Sequence, residues 1–367
     1  MTSRWIRFAA AVLAVTGTAA CSPSLDAAEH AVILLYHHVS TSSPSSTSVT
    51  PDRFEEHLEY LAQNDFAVLP LEEIVRALDG GHALPPRAVA LTFDDAYESV
   101  YDEALPRLER RNWPFTVFVA TDPVDDGYAG FMSWDELRDL EARGGTIGNH
   151  SADHAYLLRR QPDENHAVWR ERVRDNIMHA EARLEQELEQ PLPFFAYPYG
   201  EFDAPLESIV TDLGYVGFGQ QSGPVGRSYE QSRLPRYPVA TGFDDLDSLA
   251  EKLRTRPLPV TVLGPDSTVL AAGADAPLLR LHIPDGAYRR DAMRCYVAGQ
   301  EPARIEWDGD VASIRAREPL DTGRSKYNCT APAASGPGVF FWYSHLWIKQ
   351  AQGGSETSQG VYQIGDE

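Results

Sequence analysis

The sequence predicts an α/β fold, a mostly parallel sheet open or closed into a barrel, with a β-sandwich at the C-terminal end. Two observations carry that reading. Over residues 31–255 short apolar runs alternate with polar loops and amphipathic stretches, the pattern of strands buried on both faces and joined by helices. Over residues 256–350 the runs are separated by Gly, Pro and Asp turns, as in a small antiparallel sandwich.

The first run, Ala31-Val32-Ile33-Leu34-Leu35-Tyr36, is continuously apolar and ends at His37-His38. A Ser/Thr/Pro-rich loop covers 40–50, and Phe54, Leu58 and Leu61 then fall on one face of a helix. Residues 88–93 and 115–119 predict two further strands, with a helix between them over about 97–110. Ser133, with Glu136 three residues on, forms a capping box that opens a helix, and Gly144-Gly145 stops it. Trp169, Val173, Ile177, Ala180, Leu184 and Leu188 step by threes and fours, which marks a long helix closed by Pro191. Phe194-Phe195-Ala196-Tyr197 is the next strand, and a helix over about 205–213 ends at Gly214. In the sandwich the strands are expected at 278–283, 303–307 and 339–343, and residues 351–367 form a Gly/Ser/Gln-rich flexible tail.

The 54 acidic residues against 32 basic ones give a formal charge of -22, which repels nucleic acid and excludes it as a partner. Arg4 and Arg7, an apolar run over 8–15 and small residues to Ala20 read as a secretory signal peptide over 1–20, too short to span a membrane. Thr18-Ala19-Ala20-Cys21 is similar to a bacterial lipoprotein cleavage box, with Thr18 where Leu is preferred. The expectation is lipidation of Cys21, a tether over 21–30, and export to the periplasmic face of the outer membrane, held through the lipid. With Cys21 set aside, Cys295 and Cys329 remain in an exported chain and are assigned to a disulfide.

Thr92-Phe93-Asp94-Asp95 stands at the end of a buried strand, where α/β architectures gather catalytic groups. Two adjacent carboxylates there require a counter-ion. His150-Ser151-Ala152-Asp153-His154 follows another strand end, and its four-residue separation predicts both imidazoles on one face of a helical turn. Two imidazoles and one carboxylate make a three-ligand metal site with positions open for water and substrate. Ser151 stands where a zincin helix has its Glu, so the chain is not of that type.

Together, Thr92-Phe93-Asp94-Asp95, His150-Ser151 with His154, and Phe195-Ala196-Tyr197-Pro198-Tyr199-Gly200 resemble the first three motifs of the polysaccharide deacetylases, carbohydrate esterase family 4, over roughly residues 31–245. The resemblance implies a distorted (β/α) barrel with an incomplete ring of strands. It also implies Asp94 as general base, Asp95, His150 and His154 as ligands of a divalent metal, and the Tyr199 backbone amide as donor to the oxyanion. Zinc is the default ion, with cobalt or nickel also suited to such donors. Leu34-Leu35-Tyr36-His37-His38-Val39 resembles the permuted acid segment of the poly-β-1,6-N-acetylglucosamine deacetylase branch, which assigns the general acid to His37. His38 alternates to the other face of the strand, and His282 is the fallback. Many members carry an Arg where Ala196 stands, and Arg236 in Leu234-Pro235-Arg236 is the candidate substitute that orients Asp94. Tyr97, Trp134, Tyr156 and Tyr197 are either sugar-stacking or core aromatics.

The function expected from the resemblance is N-deacetylation of a β-linked N-acetylglucosamine polysaccharide, a biofilm-type exopolysaccharide first and peptidoglycan or chitin fragments next. Two other classes compete. The ligand set also fits a two-histidine, one-carboxylate Fe(II) oxygenase, against which the α/β alternation and Asp94 count. A non-enzymatic glycan-binding lipoprotein would keep the fold but not every ligand position, and here all are filled.

Overall fold

The structure is a computed structural model that describes residues 28–351 other than residue 190. The expected signal peptide over 1–20, Cys21 and the tail beyond 351 lie outside the described residues.

The strand His30–Tyr36 is buried at six of its seven positions and the strand Ala88–Asp94 at all seven, as continuous apolar runs require when both faces are covered. They pair in parallel, and Phe115–Val119, Gly145–Asn149, Phe194–Ala196 and Val216–Phe218 follow in chain order, each parallel to the last. Val225–Gly226 flanks the other side of the first strand, antiparallel. The gap between the last strand and the first is spanned by an irregular segment. Phe218 bridges Leu234, and Tyr237–Pro238 pairs with Leu34 and Leu35. This is a curled, incomplete barrel, and its closing segment carries Arg236.

Helices cover the sheet. Pro51–Gln63 is capped by the Thr50 hydroxyl and Trp134–Ala142 opens with the Ser133/Glu136 capping box, both satisfying amide groups that the first turn leaves open. The 22-residue helix His166–Glu187 buries Trp169, Val173, Ile177, Ala180 and Leu184, the stripe read from the sequence. The helix expected over 97–110 is already helical at Glu98 and Ser99 but π-wound from Val100 through Ala104, where the Leu105 amide reaches back to the Val100 carbonyl. Pro106 has no N–H to continue a regular ladder through this stretch. Leu71–Gly80 and Leu246–Leu253 are helices that the sequence reading passed over.

Behind the barrel stand two sheets. One, of five strands, contains the long hairpin Gly323–Pro332 and Phe340–Lys349, and the other, of four, contains Leu278–His282. Between them lies a core that includes Leu279, Leu281, Ile314, Tyr327 and Trp347. Cys295 and Cys329 face each other across neighbouring antiparallel strands and are disulfide-bonded. Arg256–Pro257 already pairs with Phe341 and Trp342 of the five-stranded sheet. That sheet packs on the barrel: Leu346 and Ile348 share a buried cluster with Trp169, Phe195, Tyr197 and Leu206, and the Thr268 hydroxyl donates to the Phe202 carbonyl at 2.8 Å.

Candidate active site

Asp94 is the last residue of its strand, and Asp95 and Ala96 follow with φ of 75° and 62°. A left-handed pair of non-glycine residues costs free energy and persists only where the surroundings dictate it. Here the turn sets two adjacent carboxylates on one buried spot. Asp94 is fully buried and receives two parallel hydrogen bonds from Arg236, 2.7 Å to Oδ1 and 2.8 Å to Oδ2. Arg236 is buried as completely. Its remaining donors go to Thr92 Oγ1 at 3.3 Å and the Gly219 carbonyl at 3.0 Å, and its guanidinium lies over the Phe118 ring. Burial alone would raise the Asp94 pKa, but the Arg236 charge, followed by His150, holds it below the ordinary carboxylate range.

Asp95, His150 and His154 converge beside this pair. His150 Nε2 lies 3.3 Å and His154 Nε2 3.2 Å from Asp95 Oδ1, and His150 Nε2 lies 4.0 Å from Asp94 Oδ2. The three ligand atoms fall within 4.8 Å of one another, all on buried residues. The predicted helical turn is not what brings the two imidazoles together. His150 directly follows the strand Gly145–Asn149, and the chain then runs irregularly, with Ser151 at φ 68° and His154 at φ 52°. Asn149 Oδ1 accepts from the Ser151 amide and Ser151 Oγ from the His154 amide, side chains replacing the backbone bonds a helix would make.

The donor set fits a cation. His150 Nδ1 lies 2.7 Å from the Ala196 carbonyl, which can only accept, so Nδ1 carries a proton and Nε2 is the atom turned toward Asp95. His150 Nε2 and Asp95 Oδ1 are both buried and neither has a hydrogen-bond partner. Two facing acceptors without solvent need a proton or a metal ion between them. Burial lowers His154 to about 4, which favours the neutral, ligating ring, whereas the charges of Asp94 and Asp95 outweigh burial at His150 and raise it. Asp95 is held low despite burial by His154 and His150.

Tyr199 sits in the turn Pro198–Gly200 with φ of 59°, and the bonds that close this turn come from the Gly200 and Glu201 amides, not from its own. Its ring meets His154 edge-on at 4.5 Å and stacks on Tyr156 at 3.7 Å, 8° from parallel. His37 is half-buried at the end of the first strand, and its charge reaches Asp94, Asp95 and His154 and depresses the pKa of each. His38 stacks on Tyr97 at 3.5 Å, and burial pushes it down to about 4. His282 lies in the four-stranded sheet opposite Thr261 and Val311.

The four undecided aromatics separate. Tyr97 and Tyr156 flank the site. Tyr197 is fully buried, its hydroxyl donating to the Ser232 carbonyl, and Trp134 donates to Asp125 beneath Arg183. The sequence reading missed the Ala196 carbonyl as the group that orients His150. No side-chain pattern could announce a main-chain acceptor.

Residues 81–218 match the family model described as Polysaccharide deacetylase. Among curated proteins the chain is similar to the "Putative polysaccharide deacetylase YxkH" of Bacillus subtilis, 25% identical over 214 residues, 58% of this chain and 72% of that one. It is also similar to the "Poly-beta-1,6-N-acetyl-D-glucosamine N-deacetylase" of Escherichia coli K12, 24% identical over 61% of this chain, although the match spans only 38% of that protein's length. Among solved structures, IcaB from Ammonifex degensii superposes with a TM-score of 0.54 at 25% identity, covering 62% of this chain and 98% of that one. The family match thus encloses Asp94, Asp95, His150, His154 and Tyr199, while His37 and Arg236 fall outside it. Residues 81–218 thus match a polysaccharide deacetylase domain, and over about three fifths of its length the chain is similar to proteins named as deacetylases.

Proposed function

We propose that this chain deacetylates a β-linked N-acetylglucosamine polysaccharide, with poly-β-1,6-N-acetylglucosamine its substrate class, using a divalent metal held by Asp95, His150 and His154. The observation that carries this reading is the Arg236-clamped Asp94 beside the unpartnered Asp95 Oδ1 and His150 Nε2. The substrate class is supported by the histidine segment 37–38 standing ahead of the metal ligands in the chain, and by the relatives named as acting on that polymer. One carboxylate and two imidazoles suit zinc, with cobalt and nickel as alternatives.

A divalent ion bound there supplies Lewis-acid polarisation of the acetyl carbonyl and a lowered pKa for water. Asp94, kept ionised by Arg236 and fixed by two hydrogen bonds, takes the proton from the attacking water. The Tyr199 amide donates to the oxygen as it gains charge. His37 delivers a proton to the nitrogen as the carbon–nitrogen bond breaks, which leaves acetate and a free amine. We further propose that the chain works outside the cytoplasm, tethered by a lipid on Cys21. The leader pattern over 1–20 and the Cys295–Cys329 disulfide support export.

Acetate release by residues 22–367 from poly-β-1,6-N-acetylglucosamine, peptidoglycan and chitin oligomers, with metal content measured in parallel, tests the reading. Release is expected to be fastest from the first, to vanish in Asp94→Asn and to fall in His37→Ala but not in His282→Ala. Full activity in Asp94→Asn overturns the base, and a silent His37→Ala with a damaging His282→Ala overturns the acid.

A further inference from the structure

The second residue of the strand Gly323–Pro332, Arg324, leaves its own sheet and enters the barrel's mouth. Its guanidinium donates to the Tyr199 carbonyl and to Gln220 Oε1 and lies 5.9 Å from the Tyr199 ring centroid, with Glu201 4.0 Å from its Nε. Two residues on, on the same face of the strand, Lys326 donates to the Gln220 carbonyl at 2.6 Å. The 219–221 loop that they grip is held from the opposite side by Arg236, whose Nε donates to the Gly219 carbonyl and whose amide donates to the Gln221 carbonyl. Space there is tight, since a Cβ on Gly200 would approach Gln220 Cβ to 2.5 Å.

Tyr199 therefore stands in a left-handed turn held at its carbonyl by one cation and at its ring by Tyr156 and His154. Arg324 binds its carbonyl, Tyr156 covers its ring, and Arg159 lies 3.4 Å from the outer face of Tyr156. A non-glycine residue with positive φ relaxes unless its neighbours prevent it. An arginine bonded to the carbonyl of such a residue fixes the Tyr199–Gly200 peptide plane, and by opposing rotation about the Tyr199 φ and ψ it holds the preceding plane, which carries the Tyr199 amide, in turn.

We propose that Arg324, from the C-terminal sandwich, is a positioning residue for the deacetylation site: it locks the Tyr199 turn so that the Tyr199 amide points at the developing oxyanion. The inference rests on the proposed role of that amide. It makes the sandwich part of the catalytic unit, because the strand that supplies Arg324 and Lys326 braces the same loop that Arg236 uses while it holds Asp94. Arg324 is itself two-fifths exposed, but Glu201 beside it is buried, so Arg324→Lys, which keeps a cation next to that carboxylate, guards the test against a variant that fails to fold.

The test uses the full chain with Arg324→Ala and Arg324→Lys, with kcat and KM separated on N-acetylglucosamine oligomers and amide hydrogen exchange followed over residues 197–201. An amide that acts only in the transition state affects kcat and leaves KM unchanged. Arg324→Ala is expected to lower kcat about tenfold or more, with KM within about twofold, since complete loss of an oxyanion donor costs about 10²–10³. Exchange over 197–201 is expected to accelerate about tenfold, and Arg324→Lys is expected to recover part of both effects. An unchanged kcat with unchanged exchange overturns the inference, as does a rise in KM with kcat preserved, which would make Arg324 a substrate contact. Absence of deacetylation by the native chain overturns the functional reading instead, and the exchange measurement then still decides whether Arg324 locks the turn.

Discussion

Arg236 and Asp94 face one another through two parallel hydrogen bonds, both side chains entirely out of solvent, although 142 residues separate them in the chain. Burying either alone would be costly, and together they neutralise each other's charge while fixing the carboxylate plane. The resemblance to the deacetylases leads to the expectation of such a cation at the position that Ala196 occupies here. In this chain it arrives from the segment that closes the barrel.

Breaking this pair from one side is expected to hurt folding and activity together. Arg236→Met leaves a buried, uncompensated carboxylate and should cost about 3–5 kcal/mol of stability in urea unfolding. Deacetylation by the fraction that remains folded should fall about 10²-fold, because the base loses its fixed geometry. Arg236→Lys keeps the charge without the fork and should recover stability only in part. A Met variant as stable as the native chain would show that the pair contributes nothing to the fold.

The facing acceptors Asp95 Oδ1 and His150 Nε2 lead to a thermal prediction that does not depend on turnover. Protein stripped with a chelator should melt at a lower temperature, and zinc at about 100 times its dissociation constant should restore about 2.7 kcal/mol. His150→Ala should abolish the shift. Differential scanning fluorimetry across zinc, cobalt and nickel would read it, and an equal shift in His150→Ala would place the ion elsewhere.

How much of this was legible in the sequence divides along physical lines. The buried strands, the long helix with its Trp169–Leu184 stripe and the capping box at Ser133 announce themselves because their periodicity or end chemistry is local. The residues the structure gathers at the site stand in short motifs, and even Arg236 had a sequence context that marked it for consideration. The spacing of His150 and His154 misled, because four residues suggest a helical turn whereas left-handed backbone at Ser151 and His154 achieves the convergence. Non-glycine residues adopt that conformation rarely, and although His is among the types enriched there, nothing in the motif marks Ser151 for it. Arg324 was invisible for another reason: it stands 125 residues from the carbonyl it binds, in a strand that the sequence reading did not assign.

A pH prediction comes from the sandwich. His345 is buried with Nδ1 3.2 Å from the Tyr343 hydroxyl, and burial, followed by the Arg233 charge, pushes it down from 6.5 to about 3. The unfolded chain takes up a proton on this ring below its ordinary value near 6.5, while the folded chain refuses it until far lower. Its stabilising contribution is complete above that value and is lost as the pH falls toward 3. The urea midpoint of His345→Gln should therefore drop less steeply than that of the native chain between about pH 6.5 and 4. Parallel curves would show that the ring is already charged, or solvated, in the folded state.

The bridging stretch from Leu234 to Pro238 joins the last strand of the ring to the first, and it delivers Arg236 to Asp94 in doing so. The same five residues thus close the gap in the sheet and give Asp94 its counter-ion. A chain still threading outward, or one whose ring has not yet been stitched shut, holds a carboxylate with no guanidinium and no reason to stay ionised in a dry interior.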